Sequence, residues 1–334
     1  MSPELRLTIL IPVYNDWVVA GMLLKQLEET FSRIRVRPRV LIINDGSSQP
    51  VPVPCITWQP QHLDRIEVLE LYRNFGHQRA LCVGMVHVYL ENRSDAVLIM
   101  DADGEDDPRE IPALWQLFLN EDQKKMVFAA RGRRMEGIVF KISYLIYRTI
   151  HRIFVGFDVR IGNYSVLPFS ALETLVRSGH LWNHYAAAAI KSRLGVTSIS
   201  VDRAKRLQGQ SRMGFVGLVV HGLSAMSVYS DTVGARLLLL LGILFALGMA
   251  GLVAVGILTL VSPAHTLPLW LPMASGLLVL LLFQILVLAL LFTFGVLATR
   301  ATPEFIPLRQ CPEFIKGIVR VDSREECSAS NENC

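Results

Sequence analysis

The pattern of apolar and polar positions divides this chain into two regimes. Over roughly the first 200 residues, short apolar runs alternate with longer segments of helical spacing. Leu7 to Val13 reads as a first strand and Trp17 to Ile34 as a helix. Arg39 to Ile43 is a second strand, ending in Asn44-Asp45-Gly46-Ser47-Ser48. A Pro-rich loop, Gln49 to Pro60, leads to a third strand at Ile66 to Leu71, and His77 to Glu91 has helical spacing. The run Ala96-Val97-Leu98-Ile99-Met100 then stops abruptly in acid, and a helix follows from Pro108 to about Glu121. Further strands are expected at Met126 to Ala130, Tyr164 to Leu167 and Val196 to Val201, with helices around Ala171 to Arg177 and His184 to Arg193. Alternation of this kind predicts an α/β fold with a mostly parallel sheet covered on both faces, binding ligands beyond the carboxyl ends of its strands.

The second regime runs from Leu237 to Ala298 without an Asp, Glu, Lys or Arg. It breaks between Ser262-Pro263 and Pro268 into two segments of about 25 residues. Each makes roughly 37 Å of helix, enough to cross a hydrocarbon core of about 30 Å. The expected organisation is a globular domain over 1–212, a juxtamembrane helix over 213–236, transmembrane helices over 237–261 and 271–298, and a tail over 299–334. Composition agrees, with 51% hydrophobic residues and a mean hydropathy of +0.39.

Charge supplies an orientation. Arg236 precedes the first span and Arg300, Arg309, Lys316 and Arg320 follow the second, whereas the connecting loop offers only His265. The positive-inside rule then puts the large domain and the tail in the cytoplasm and the loop outside. Met1 to Val13 does not read as a signal peptide, because its apolar run is short and lacks a small-residue cleavage site. The net charge of +4 is modest, and the basic residues near the spans suit an anionic membrane surface better than nucleic acid. Five scattered cysteines without metal or disulfide spacing are expected to be reduced. Lys141, Arg148 and Arg152 share one helical face, which fits a helix on the membrane surface or one packed on the sheet. Gly242, Ala246, Ala250 and Ala254 form a small-residue stripe that could serve packing within the hairpin or a homo-oligomer.

The candidate chemistry sits where the apolar strand meets acid. Asp101 and Asp103 lie two apart, so a strand period of two sends both carboxylates to one side, and Glu105, Asp106 and Asp107 follow at once. Carboxylates about 5 Å apart repel by roughly 3 kcal/mol at an effective dielectric near 20, which asks for a cation. A hard divalent ion held by one or two carboxylates and substrate phosphates fits. An acidic turn capping the helix at Pro108 fits the same residues.

Four stretches together give these pieces a family resemblance. They are Pro12-Val13-Tyr14-Asn15-Asp16; Asn44-Asp45-Gly46-Ser47; Arg73-Asn74-Phe75-Gly76-His77-Gln78-Arg79-Ala80 with Gly84; and Asp101-Ala102-Asp103 with Asp107-Pro108. A fifth is Arg206 with Gly209, Ser211 and Arg212. With the hairpin that follows, the chain resembles family 2 glycosyltransferases of GT-A (Rossmann-like) fold, specifically the polyprenyl-phosphate transferases that include dolichol-phosphate mannose synthases. The resemblance covers roughly Leu5 to Arg320.

It implies transfer of one sugar, with inversion, from a nucleotide-sugar donor to polyprenyl phosphate at the cytoplasmic face of a membrane, for which a bacterial inner membrane is the expectation. Pro12, Tyr14, Asp16, Asp45, Arg73, Asn74 and Gly76 would form the donor pocket, with Asp45 on the base. Asp101 and Asp103, with Glu105, would hold Mg²⁺ or Mn²⁺ and act in catalysis. Arg131, Arg206, Ser211 and Arg212 would meet the phosphates of donor and acceptor. Two rival readings are a transferase acting on another lipid head group and a catalytically silent membrane scaffold. The chain departs from the family pattern at Asp16, Asn44, Gly104-Glu105 and Arg212, and at Gly162-Asn163-Tyr164-Ser165, where many relatives have Gly-Asp-Phe-Arg.

Overall fold

The computed structural model describes residues 5–52, 58–131, 149, 152, 161–201, 204, 206–207, 215–261, 270–301 and 304–321. Eight strands form one mixed sheet, here β1 (Leu7–Val13), β2 (Arg39–Asn44), β3 (Arg65–Leu71), β4 (Ala96–Ile99), β5 (Met126–Arg131), β6 (Ile161–Pro168), β7 (Val196–Val201) and β8 (Ile315–Arg320). Their order across the sheet is β7-β5-β6-β4-β1-β2-β3-β8. β1 pairs in parallel with β2 and β4, β2 with β3, and β5 with β7. β6 runs antiparallel between β4 and β5. Two reversals cancel, so β1 to β5 and β7 all end on the same edge of the sheet, and β6 begins there.

Helices cover both faces because the central strands are apolar on both. In β1, Ile9 and Ile11 face one core with α1 (Trp17–Phe31) and α3 (Ile111–Asn120), while Leu10 faces another with α2 (His77–Glu91) and α4 (Phe169–Val176). Every residue of β1 is buried, and a strand with no solvated face is what a parallel sheet between two helical layers requires. A fifth helix, α5 (Tyr185–Lys191), joins the second core through Tyr185 and Ala186.

The last strand is the main departure from the sequence reading. β8 lies in the stretch read as a tail, yet it pairs antiparallel with β3, matching Val319 to Val68 and Ile318 to Leu69. Just before it, Cys311 packs on α2, its buried thiol 3.9 Å from that of Cys82; among the described residues these two cysteines are free.

The chain separates into two compact units. The first comprises 1–141, 159–228 and 305–334, and the second 142–158 and 229–304. Within the first, Phe215–Ser227 is helical. The second holds the helices Ser230–Val261 and Leu271–Ala301, packed on each other. Both are long and apolar enough to cross a membrane, over Ser230–Val261 and Leu271–Gly295. The first starts seven residues before the uncharged stretch, carrying Asp231 and Arg236 in its opening turns. Gly248 lets the pair approach: a Cβ there would fall 2.6 Å from Leu282 Cδ2. The stripe Gly242, Ala246, Ala250 and Ala254 is exposed instead, so packing within this pair does not account for it. The basic face of Lys141, Arg148 and Arg152 falls in the region where only 149 and 152 are described, and the loop around His265 lies outside the described residues.

Candidate active site

The shared strand edge gathers most of the candidate residues. Tyr14 and Asp16 follow β1, Asp45 follows β2, Arg73 to Gly76 follow β3, Asp101 and Asp103 follow β4, Arg131 ends β5, and Arg206 comes five residues after β7. Asn163 lies near the start of β6, which runs the other way. The side chain of Arg131, and Ser211 and Arg212 altogether, lie outside the described residues.

Hydrogen bonds between loops knit this edge. Asn15 takes a left-handed conformation (φ 56°), and its Oδ1 accepts the N–H groups of Ser48 at 2.9 Å and Gln49 at 3.2 Å. Ser47 Oγ accepts from Asn15 N at 3.0 Å, and Asn44 Oδ1 accepts from Ser47 N at 3.0 Å. The first two motifs are thus a single bonded unit, with Tyr14 exposed beside it.

The family resemblance puts Asp45 on the nucleotide base, and within the protein its carboxylate meets the loop that follows β3. Its Oδ1 accepts from Phe75 N at 2.7 Å and its Oδ2 from Gly76 N at 2.9 Å, and the residue is 3% exposed. It therefore clamps the Arg73–Gly76 loop. Burial raises its pKa, against the opposing pull of the two backbone N–H groups. Gly46 makes the clamp possible: at φ 61°, a Cβ there would sit 2.3 Å from Arg73 C and 2.5 Å from Asn74 N, both backbone.

In the acidic stretch the five carboxylates divide their labour. Asp106 is buried and accepts from Asp101 N at 2.9 Å, while Asp107 accepts from Arg109 N at 2.9 Å and caps the turn Pro108–Glu110. The Arg109 guanidinium holds the Asp107 carboxyl below its usual range. Asp101, Asp103 and Glu105 are left half-buried at the edge. Arg206 Nη2 donates to Asp103 Oδ2 at 2.7 Å, and its Nε is 3.6 Å from Glu105 Oε1. Gly104, at φ 79°, turns the chain between these acids and leaves room for Leu207, whose side chain would meet a Cβ there at 2.3 Å. That contact gives the Gly104 departure a physical reason. Among the described residues no group of three His, Cys, Asp or Glu side chains is arranged to hold a metal, so Asp101, Asp103 and Glu105 do not form a ready three-carboxylate site. Two carboxylates, both hard oxygen donors, still suit a divalent ion whose other ligands are substrate phosphates and water.

His77, Gln78 and Asn163 are the residues whose part the sequence did not disclose. His77 Nε2 is 3.1 Å from Asp101 Oδ1 and 2.9 Å from Asn163 Nδ2. Asn163 Oδ1 accepts from Gln78 Nε2 at 3.0 Å, and Gln78 Oε1 accepts from Tyr185 N at 2.8 Å. A backbone N–H therefore fixes the polarity of the relay and turns the amide nitrogen of Asn163 toward Asp101 and His77. Burial pulls the His77 pKa down, but the charge and hydrogen bond of Asp101, with Asp106 and Asp103 behind, leave it raised. A signal was available in the sequence, since His77 and Gln78 directly follow Gly76 in the motif Arg73 to Ala80.

Residues 8–176, half of the chain, match the glycosyl transferase family 2 domain. The chain belongs to that family. Relatives of this family 2 glycosyltransferase include the Bacillus subtilis (strain 168) glycosyltransferase YkcC, 23% identical over 235 residues that cover 69% of this chain and 70% of the relative. The undecaprenyl-phosphate 4-deoxy-4-formamido-L-arabinose transferase of Salmonella choleraesuis (strain SC-B67) is 25% identical over 252 residues, 74% of each chain. Among solved structures, glucosyl-3-phosphoglycerate synthase from Mycobacterium tuberculosis aligns over 69% of this chain and 80% of its own, with a TM-score of 0.49 and 14% identity. The enzyme is a glycosyltransferase, and its two long apolar helices fit association with a membrane.

Proposed function

We propose that this glycosyltransferase moves one sugar from a nucleotide-sugar donor to a polyprenyl phosphate at the cytoplasmic face of a bacterial inner membrane, inverting the anomeric centre. The observation that carries the reading is a pairing within one chain. A carboxylate pair stands at the carboxyl edge of a parallel sheet, and two apolar helices suit an acceptor that stays in the bilayer. The Salmonella relative is named for transfer to undecaprenyl phosphate, which supports the same acceptor class.

Each residue then has a task set by its surroundings. Tyr14 and Asp16 lie against the base and ribose, while Asp45 acts through the loop it clamps, holding Arg73, Asn74 and Gly76 toward the diphosphate. Asp101 and Asp103 would hold Mg²⁺ or Mn²⁺. When bound, that ion neutralises charge on the departing nucleoside diphosphate. Arg206, now paired with Asp103 and Glu105, is placed to exchange those acids for a phosphate, with Arg131, Ser211 and Arg212 as further phosphate contacts. A phosphomonoester has a second pKa near 6 and is largely dianionic at pH 7, so this acceptor needs no general base.

Membranes carrying the protein, incubated with labelled nucleotide sugars and either polyprenyl phosphate or free polyprenol, test the reading. A lipid-soluble labelled product is expected from the phosphate alone. Product from the alcohol, or from neither, overturns it.

A further inference from the structure

The donor loop has a second support besides Asp45. Its one aromatic side chain, Phe75, lies 4.7 Å from Phe314 and 6.2 Å from Trp182, centroid to centroid. Trp182 in turn lies 4.3 Å from Phe305 and 5.5 Å from Phe314. Two guanidinium groups rest on this platform, Arg73 at 4.2 Å over Phe75 and Arg79 at 5.2 Å over Trp182. Tyr72 N also donates to Phe314 O at 3.1 Å, tying the loop's entrance to the same segment.

Three members of the platform, Trp182, Phe305 and Phe314, fall beyond the stretch that matches the family domain, and two of them follow the second apolar helix in sequence. All four rings belong to the same compact unit. The arrangement resolves a problem that Asp45 alone leaves open. Asp45 holds Phe75 and Gly76 by their backbone, but nothing in that clamp fixes the direction of Arg73, which is exposed and has a long, flexible side chain. Stacked on the ring of Phe75, the guanidinium loses part of that freedom, and Phe314 and Trp182 wall in the ring, which also packs on the second core.

We infer that Phe305 and Phe314, reaching back from after the second apolar helix, are positioning residues for the donor: with Trp182 they hold Phe75, and through it Arg73, in the pose that receives the diphosphate. The inference rests on the reading of Arg73 to Gly76 as the donor loop. It assigns the C-terminal segment a part in binding, beyond closing the sheet edge.

The test uses the full-length protein in detergent, with UDP and GDP in the presence of Mn²⁺ as probes, binding measured by calorimetry and melting temperature recorded in parallel. For the more tightly bound nucleotide, Phe314→Ala and Phe305→Ala are expected to weaken binding by about twofold to tenfold each, the scale of one aromatic pair. Phe314→Tyr, which keeps the ring, should restore it. Arg73→Ala should weaken binding at least as much. If Arg73→Ala weakens binding while both alanine variants bind within about twofold of the unaltered protein and only melt earlier, the platform is merely structural and the inference fails. If Arg73→Ala binds normally, the donor-loop reading itself is wrong and the inference falls with it.

Discussion

Asn163 Nδ2 stands 2.9 Å from His77 Nε2 and 3.5 Å from Asp101 Oδ1, a donor at the position where the family resemblance implies Asp. Because Gln78 is fixed by the backbone of Tyr185, an Asp at 163 would keep one oxygen on Gln78 and turn the other toward both His77 Nε2 and Asp101, where an acceptor gained by the histidine opposes the repulsion between carboxylates. Asn163→Asp should therefore bring no large gain, leaving transfer within about tenfold of the unaltered enzyme. Initial rates at saturating donor and acceptor decide it. A large stimulation instead would mean that a base at this position helps, against a phosphate nucleophile.

Asp101→Asn and Asp103→Asn should each reduce transfer by about 10²-fold or more, the usual scale for loss of charge stabilisation at a reacting centre. Chelation of divalent ions should do the same to the unaltered enzyme. Full activity of both variants in metal-free buffer would remove the cation from the scheme.

Arg39 is buried between Glu67 and Glu91, bonded to both. Arg39→Met would leave two carboxylates without their shared cation, and a loss of about 3–5 kcal/mol of stability is expected. Thermal or denaturant unfolding of the full-length protein measures it.

The same cluster sets a pH dependence. Although burial opposes ionisation of Glu91, the His87 ring 3.5 Å away and the hydrogen bond from Arg39 bring its pKa down from 4.5 to about 2. A carboxylate with a depressed folded-state pKa stabilises the protein above its unfolded value and loses that contribution as pH falls. Melting temperature should thus decline as pH drops from about 4.5 toward 2, and Glu91→Gln should flatten that part of the profile. A profile unchanged by the substitution would assign the acid loss elsewhere.

The orientation inferred from charge predicts that a cysteine introduced at His265 reacts with an impermeant reagent in intact cells, whereas one at Asn331 does not. The opposite pattern would turn the protein over in the membrane.

How much of this was legible in the sequence depended on the range of the interaction concerned. Local periodicity located α2 at His77–Glu91 and β7 at Val196–Val201, the bounds that the structure has. β8 escaped because six residues containing Lys316, Gly317 and Arg320 alternate as an edge strand does, and its partner β3 lies about 250 residues earlier in the chain. The first long helix begins at Ser230 because two charged residues near a helix end do not stop it, although they ended the uncharged window. At the active site, the motifs marked which loops converge but not what each side chain does there. The clamping bonds of Asp45 could not be read locally, since its partners at 75 and 76 become neighbours only when β2 and β3 pair. Asn163 meets Gln78 across 85 residues of sequence, and no local pattern encodes that meeting.

The position of β8 also sets an order of events during synthesis. Residues 315–320 leave the ribosome after both apolar helices, so β3 must wait for this partner while those helices are being made. An open edge is a template for any passing strand. Seating β8 ends that exposure, so the unit that holds the sheet matures only after both apolar helices have been translated.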